Sequence, residues 1–508
     1  MVDDSPFALR KKMKRHQSLH MKDSKRLRSY RGPFSVEPQK AVQPGSTQKE
    51  LGRRYLCYNS LGYITLRTES DHNIVEVSFH DTAEHRRRIP LLNDFYGFTM
   101  GSLGSKGALY ASPSSEHAPS TVVYRPFESW SSNAEWTIGL KEGEEAVSIA
   151  AGDSFCVIAT NSRLVRVLTA SGLQTKIFSV PGNIVSVFAQ SDAFGVVYHM
   201  TTPSPQGDQI LAVKTFSFSQ GSQIANLEVA LSPGSILSWV GYTDEQALAI
   251  YDSEGVLRMF SPDFGGSWVP IFDSAVERKG SESFWLFSVS LEAGEAQCIV
   301  CADTLEPLVP SGSARPVVTA APLRIPLVNH DEALVGQEQT LQRKQLLTTH
   351  YESQSYTGEE DKLSQHEIDA DKACLGLFKL LLQQDKASRA LDVASRLQTM
   401  KALEGALRIA YHFNMNALAE RIEVLINCKQ EMESEDHVYE EQPLNWDINQ
   451  VPAVPEYGNL GAIVEELPLV SEAKMEVQEN GEPNSIISHR GSDNLKSKRK
   501  VNPFARKK

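Results

Sequence analysis

The feature that most constrains this chain is a stretch of about 270 residues, from Tyr55 to about Leu327, built of short runs of β-branched and aromatic residues. Examples are residues 74–77, 121–124, 156–159, 164–168 and 195–198, which Gly, Asn, Asp, Ser and Pro separate at turn-like intervals. Such runs predict strands joined by tight turns. The stretch is therefore predicted to be all-β.

A short pattern that recurs in this stretch predicts its architecture. A polar pair precedes a strand at Asn59-Ser60, Asn161-Ser162 and Asp252-Ser253. The three serines are 102 and 91 residues apart, close to two propeller blades of roughly 40 to 50 residues each. We therefore predict a six-bladed β-propeller over residues 55–327. The alternative is a generic hairpin turn that recurs by chance.

Residues 328–430 change to a helical period. Apolar residues at 374, 375, 377, 378, 381 and 382 have the spacing of an amphipathic helix, and residues 390–397, 403–411 and 418–426 form three more such segments. Their short linkers predict antiparallel packing as a small α-helical bundle. Asp385, Thr399 and Asn414 stand where helix N-caps are expected.

The net charge of -12 is distributed unevenly along the 508 residues. Lys and Arg outnumber Asp and Glu by 14 to 5 in residues 1–54 and by 8 to 1 in residues 483–508. Acidic residues prevail by 43 to 28 in residues 55–430 and by 14 to 1 in residues 431–482. We predict a disordered basic segment over residues 1–54 and a disordered acidic tail with a basic C-terminus over residues 431–508.

Composition argues against several classes of protein. No apolar stretch approaches the roughly 18 to 20 residues of a membrane helix, and no signal peptide opens the chain. We therefore expect a protein that is neither secreted nor bound to a membrane. The six scattered cysteines form no disulfide framework, which fits a reducing compartment.

Motifs for chemistry are weak. Residues 101–107 are glycine-rich but lie between strands and lack the Gly-x-x-x-x-Gly-Lys-Ser/Thr phosphate loop. Cys298 and Cys301 have the spacing of a metal or redox pair, yet no second pair accompanies them, and residues three apart on a strand point to opposite faces. We predict a non-enzymatic protein without cofactor or metal; a catalytic pair assembled across blades stays open.

The basic ends are candidates for nuclear import, with localisation in the nucleus as the expectation. The alternatives are weak, sequence-nonspecific DNA contact, which would depend on salt because no aromatic residues are interleaved, and a solvated tail without either role. The acidic body should repel DNA. The candidate residues are Arg10, Lys11, Lys12, Lys14, Arg15, Lys496, Lys498, Arg499 and Lys500.

The sequence resembles the replisome adaptors called chromosome transmission fidelity protein four in yeast and acidic nucleoplasmic DNA-binding protein one in animals, which share a SepB-type propeller. The resemblance extends over residues 55–430, about three quarters of the chain. It is carried by residues 55–64, 77–81, 135–136, 178–182, 197–199, 207–209, 251–259, 268–270 and 323–326.

This resemblance implies a non-enzymatic scaffold of the DNA replication fork. Its propeller would self-associate into a homotrimer, and its helical bundle would capture client peptides from the helicase-associated GINS complex and from DNA polymerase alpha-primase. Members usually carry a WD40 propeller ahead of this region, and animal members often end in an HMG box. Neither is recognisable here, so the alternatives are a short form, an incomplete gene model and a divergent member.

Candidate client-binding residues follow from the same resemblance. They are Leu377, Phe378, Leu381, Leu403, Leu407 and Tyr411, with Arg408 and Arg421 for acidic client side chains. The alternative for the apolar residues is bundle core, and for the arginines a solvated helix face. Two other functions stay open: a scaffold of membrane trafficking or the nuclear pore, which also joins a propeller to helices, and a chromatin binder that acts through its basic tails.

Overall fold

The structure is a computed structural model that describes residues 36–48, 52–81, 83, 89–128, 134–309, 316–328, 332–353 and 360–440. Six β-sheets surround a central channel, and helices follow them along the chain. The predicted six-bladed propeller followed by a helical region is confirmed.

Each blade is a meander of consecutive antiparallel strands, so one continuous piece of chain builds each sheet. The first strand of every blade lines the channel. Blade one contains β1 (Arg53–Tyr58), β2 (Gly62–Thr68), β3 (Asn73–Phe79) and β4 (Leu92–Asp94); blade two contains β5 (Met100–Leu103), β6 (Gly107–Ala111), β7 (Thr121–Pro126) and β8 (Trp136–Gly139); blade three contains β9 (Ala146–Ala151), β10 (Phe155–Thr160), β11 (Leu164–Thr169) and β12 (Gln174–Ser179).

The second half of the ring follows the same plan, except that blade six has three strands. Blade four contains β13 (Ile184–Gln190), β14 (Ala193–His199), β15 (Leu211–Ser217) and β16 (Ser222–Glu228); blade five contains β17 (Leu237–Tyr242), β18 (Leu248–Asp252), β19 (Val256–Ser261) and β20 (Ser267–Asp273); blade six contains β21 (Glu282–Ser290), β22 (Glu295–Ala302) and β23 (Val318–Pro322).

Packing between blades explains why the strands read as continuous apolar runs. A cluster of buried side chains fills each of the six contacts between neighbouring blades. A blade in the ring is covered on both faces, so its central strands cannot alternate apolar with polar residues. All six residues of β10, for example, are buried.

The recurring turn marks equivalent positions in two of its three occurrences. Asn161 and Asp252 lie at the turn between the second and third strands of blades three and five, whereas Asn59 lies between the first and second strands of blade one. In an antiparallel meander these two kinds of turn are at opposite ends of a blade. The interval of 91 residues therefore spans two blades, and the interval of 102 joins unlike turns.

The contact between blades six and one closes the ring with the smallest of the six clusters. Its five buried residues are Tyr55, Tyr58, Phe287, Ile299 and Cys301. The rings of Tyr58 and Phe287 meet edge to face, with centroids 4.7 Å apart. Within the described residues, no strand from the N-terminal side joins the sheet of blade six, so packing of side chains carries this closure.

Residues 36–48, here named the channel segment, correct the prediction of a disordered stretch over residues 1–54. They cross the channel without regular secondary structure, and the side chains of Gln43 and Thr47 are buried. The backbone N–H of Val42 donates to the carbonyl of Val185 at 2.7 Å. Sequence periodicity could not reveal this segment, because its contacts repeat at neither a strand nor a helix period. Residues 1–35 lie outside the described residues.

The part of the chain that the structure describes contains six α-helices. They are α1 (Ser274–Glu277), a single turn between blades five and six, followed by α2 (Glu332–Ser353), α3 (Glu360–Gln383), α4 (Ala387–Ala394), α5 (Met400–His412) and α6 (Asn416–Glu440). The four predicted helical segments correspond to α3, α4, α5 and α6. The prediction did not include α2, because its apolar residues face two different partners: Leu334 and Leu341 pack in the helical core, and Leu347 and Tyr351 pack against blades five and six.

One of the three predicted N-caps is correct. Thr399 caps α5, and its side chain accepts a hydrogen bond from the N–H of Ala402. Asp385 and Asn414 instead have φ of +56° and terminate α3 and α5. Each is followed by an N–H that reaches back five residues, from Lys386 to Leu381 and from Met415 to Ala410. This is the Schellman ending, in which Asn and Asp tolerate the left-handed conformation.

The end of α2 docks on the propeller face that carries the turns between first and second strands. His350 Nε2 lies 2.8 Å from the carbonyl oxygen of Glu245, and the hydroxyl of Tyr351 donates to Glu292 at 3.0 Å. Burial lowers the pKa of His350, although its bond to Glu245 opposes this effect. The helical region is therefore fixed to blades five and six.

Cys298 and Cys301 lie on β22 and point into different cores, one between blades five and six and the other between blades six and one. Among the residues that the structure describes, His, Cys, Asp and Glu form no group of three that could hold a metal ion. None of the helices described here combines the length and apolarity needed to cross a membrane.

Candidate peptide-binding surface of the helical region

Four of the predicted client-binding residues belong to the core of the helical region. Leu377, Phe378, Leu381 and Leu403 are 0 to 3% exposed and pack together. Because core side chains are already covered on all sides, a client peptide cannot contact most of this set without repacking the helices. These residues support the surface rather than form it.

Of the other four predicted residues, Arg408, Tyr411 and Arg421 lie on the exposed outer side of α5 and α6. Tyr411 is 48% exposed, and its hydroxyl donates to Glu423 at 2.7 Å, which raises the pKa of Tyr411. Arg408 and Arg421 are exposed, and Arg408 lies 3.5 Å from Glu404 one turn earlier. Leu407 is partly buried against the core. The structure thus does not bring the eight residues together into one groove.

A cleft of about 530 Å³ opens where α2, α4 and the linker after blade six meet. We call it the linker cleft. Its apolar wall contains Leu377, the one predicted residue that reaches it, together with Ile325, Leu327, Val328, Leu341 and Val393. Val328 is 91% exposed, whereas Leu341 and Val393 are buried. The cleft is therefore apolar at its base and open along one side.

Charged residues surround the linker cleft. Arg389 and Asp392 lie on α4, and Arg396 lies in the turn after it. Arg389 forms an ion pair with Glu338 of α2. In this pair the side chain of Arg389 is 44% exposed and that of Glu338 is 12% exposed, so the guanidinium stays open to an acidic side chain of a ligand. An apolar floor with charged residues of both signs at its rim suits an amphipathic helix.

Two contacts position the walls of the linker cleft. The carboxamide of Gln339 on α2 accepts the N–H of Ile325 at 2.8 Å and donates to the carbonyl of the same residue. Asp371 of α3 accepts the N–H groups of Gln398 and Thr399, both at 2.8 Å, and thereby holds the turn after α4. The linker and α4 are thus each tied to the longer helices.

Cys374, beside the base of α4, is a buried thiol rather than a reactive one. Burial raises its pKa to about 12, with the charge of Asp371 acting in the same direction and Arg396 opposing both. A thiol that stays protonated is a poor nucleophile. The linker cleft offers apolar side chains and charged groups for binding.

Two family models match this chain. Residues 40–327 match the model described as the middle region of the minichromosome loss protein Mcl1, and residues 336–432 match the C-terminal domain of the DNA polymerase alpha-binding protein Ctf4. The first match alone spans more than half of the 508 residues. The chain belongs to the Mcl1 family. Its first matched region begins inside the channel segment, which fits the contacts of that segment with the propeller.

Curated relatives agree with membership of the Mcl1 family. Protein ENHANCER OF LHP1 1 of Arabidopsis thaliana is 33% identical over 83% of this chain and 45% of its own length. The human WD repeat and HMG-box DNA-binding protein 1 is 27% identical over 78% of this chain and 35% of its own length. Minichromosome loss protein 1 of Schizosaccharomyces pombe is 28% identical over 84% of this chain and 54% of its own length. The chain spans about half or less of the length of these relatives.

Sequence reasoning about this Mcl1-family chain missed Arg389 and Arg396 as site residues, although its predicted helical segment, residues 390–397, overlaps α4. The available signal was the strong amphipathicity of residues 387–394, which buries Ala390, Val393 and Ala394 and leaves Arg389 exposed; Arg396 lies beyond this helix. The basic residues predicted for nuclear import or DNA contact, between Arg10 and Arg15 and between Lys496 and Lys500, lie outside the described residues.

Proposed function

We propose that this Mcl1-family chain is a non-enzymatic adaptor of the DNA replication fork. In this proposal it works in the nucleus, assembles as a homotrimer through its propeller and links the GINS-containing helicase to DNA polymerase alpha-primase. The observation that carries the proposal is the match of residues 336–432 to a domain described as that of a DNA polymerase alpha-binding protein. This is the region that presents the linker cleft.

The linker cleft supports peptide capture as the mode of binding. Its volume of about 530 Å³ accommodates several apolar side chains from one face of a helix. Its rim carries Arg389 and Arg396 beside the carboxylates of Glu338 and Asp392, and in this proposal the arginines pair with acidic residues that flank the apolar anchors of a client. We place the client site here rather than on the outer side of α5 and α6, where Tyr411 is already bonded to Glu423.

A trimeric hub would raise the affinity for clients that present several peptides. Three equivalent clefts hold a multivalent client at high effective concentration, so each single contact can be weak. Light scattering on the purified full chain should therefore give about three times the chain mass of 56.3 kDa. A monomer at micromolar concentration would exclude this part of the proposal.

The location of the client site can be tested with surface variants. The double variant Val328→Asp/Arg396→Glu places negative charge in the linker cleft at two exposed positions. We expect it to weaken capture of DNA polymerase alpha-primase at least about tenfold, since it removes an apolar anchor and reverses a rim charge. The measurement is a pull-down with purified polymerase alpha-primase at several concentrations.

The matched control introduces the same two changes outside the cleft. Val424→Asp/Arg408→Glu alters a valine that is 60% exposed and an exposed arginine on the outer side of α5 and α6. Capture should be unchanged in this control. If the control loses binding and the cleft variant keeps it, the client site lies on the outer side, where Arg408 and Tyr411 were first predicted to act.

A further inference from the structure

The channel segment, residues 36–48, contacts all six blades of the propeller. From its start to its end it bonds to Leu237 of blade five, Val185 of blade four, Ile149 of blade three, Gly101 of blade two, Tyr55 of blade one and Glu306 of blade six. Most of these partners lie on the first strands, whose inner edges face the channel. Such edges carry backbone N–H and C=O groups that the neighbouring strand does not pair.

Gln39 pairs with one of these edges through its side chain. Its Oε1 accepts the N–H of Leu237 at 2.9 Å, and its Nε2 donates to the carbonyl of the same residue at 2.7 Å. The backbone of Gln39 is held as well: its N–H donates to Gln209 at 3.0 Å, and its carbonyl lies 2.9 Å from His199 Nε2. The carboxamide thus takes the place of the backbone of a neighbouring strand.

Gln43, four residues later, repeats this pairing on blade three. Its Oε1 accepts the N–H of Ile149 at 2.9 Å, and its Nε2 donates to the carbonyls of Ile149 and Gly101 at 2.8 and 3.0 Å. The residue is 8% exposed. A carboxamide offers an acceptor and two donors in a fixed plane, so Gln satisfies three backbone groups from two blades at once.

The end of the channel segment is fitted to blade one. Gly45 has φ of +71°, and a Cβ at this position would lie 2.3 Å from the carbonyl oxygen of Tyr58. The N–H of Thr47 donates to the carbonyl of Tyr55 at 3.0 Å, and the N–H of Tyr55 donates to the hydroxyl of Thr47 at 3.0 Å. Gln48 then reaches blade six through its backbone N–H, which donates to Glu306 at 2.7 Å.

We propose that the channel edge is a peptide-binding site for an extended segment with glutamines four residues apart, and that residues 36–48 occupy it as a built-in ligand. Because the segment bonds to blades one and six, it also reinforces the ring at its smallest apolar contact. This inference does not depend on the proposed role in replication.

The test keeps the full chain and cuts it after folding. A recognition site for a specific protease replaces residues 49–51, between the channel segment and β1. After cleavage of the native protein, the N-terminal fragment should co-elute with the propeller in size-exclusion chromatography. Release of the fragment from a propeller that keeps its circular dichroism spectrum would overturn the proposal.

Variants then test the glutamine pairing. Gln39→Ala/Gln43→Ala should release the fragment after cleavage, because the exposed edges lose five hydrogen bonds from the two side chains. Gln48→Ala is the matched control, since Gln48 is exposed and contacts Glu306 through its backbone. If the double variant retained the cleaved fragment as well as the control does, recognition by glutamine would be overturned.

A peptide assay covers the case in which the double variant does not fold. A labelled synthetic peptide of residues 36–48 should exchange into the cleaved wild-type protein, as followed by fluorescence anisotropy. The same peptide with both glutamines changed to alanine should compete at least about tenfold less well, a loss of about 1.4 kcal/mol or more. Equal competition by the two peptides would contradict the proposal.

Discussion

Replacement of Asp252 by alanine should lower the free energy of unfolding of the propeller by about 3 kcal/mol, the loss expected when one partner of a buried ion pair is removed. The side chain of Asp252 is 0% exposed, and Arg258, 15% exposed, donates to it at 2.6 Å. Three backbone N–H groups, from Ser232, Glu254 and Val256, also donate to this carboxylate at 3.0 to 3.1 Å. Alanine leaves all four donors without this acceptor.

The pH dependence of this effect has a defined sign. Burial opposes ionisation of Asp252, but hydrogen bonds from Arg258, Ser232 and Val256 outweigh it, and the pKa is lowered from its usual value. Because the pKa of Asp252 is lower in the folded protein than the unfolded-state value of about 3.9, the ionised carboxylate stabilises the fold above that value. This contribution is lost as the pH falls through the folded-state pKa. Guanidinium unfolding should therefore show that wild type and Asp252→Ala differ less in unfolding free energy near pH 3 than at pH 7.

The control for Asp252 is Asp263→Ala in the same blade. Asp263 is exposed and accepts a hydrogen bond from Ser261 at 3.0 Å. Its removal should change the unfolding free energy by less than about 1 kcal/mol. Equal effects of the two substitutions would show that the buried pair at Asp252 does not hold the turn of blade five.

The propeller could be predicted from its sequence because its central strands are buried on both faces. That burial produces continuous apolar runs such as residues 155–160, which periodicity recognises directly. The predicted interval of two blades is correct between Asn161 and Asp252, which occupy equivalent turns. It failed at Asn59 because the Asn side chain accepts the N–H groups of Leu61 and Gly62 in its own turn, a local arrangement that fits either end of a blade.

The channel segment and the linker cleft could not be predicted for a different reason. Both are defined by contacts between residues far apart in the chain, such as Gln43 with Ile149 and Arg389 with Glu338. Hydrophobic pattern identifies which residues are apolar, and the family resemblance then proposes Leu377, Phe378 and Leu381 among them as client contacts. It does not show which apolar residues the helices leave uncovered, and here most of that set is core.

Replacement of Asp371 by alanine should destabilise the helical region by about 2 to 3 kcal/mol and weaken client capture with it. Asp371 is 3% exposed. Its two oxygens accept the N–H of Gln398, the N–H of Thr399 and the hydroxyl of Thr399 at 2.6 to 2.8 Å. Hydrogen bonds to a charged acceptor contribute about 1.5 to 3 kcal/mol. Without them the turn between α4 and α5 is released, and α4 carries one wall of the linker cleft.

Hydrogen exchange would locate this effect. In Asp371→Ala, amides of residues 387–412 should exchange faster, while those of the propeller strands keep their protection. Asp369→Ala, two residues away on α3, is the control, since its side chain is 30% exposed and pairs with Lys344 and Lys372 at the surface. Exchange in Asp371→Asn should be intermediate between exchange in Asp371→Ala and in Asp369→Ala, because the single carbonyl oxygen of asparagine can accept only one of the two N–H groups. Faster exchange without loss of polymerase alpha-primase capture would show that α4 does not form the client site.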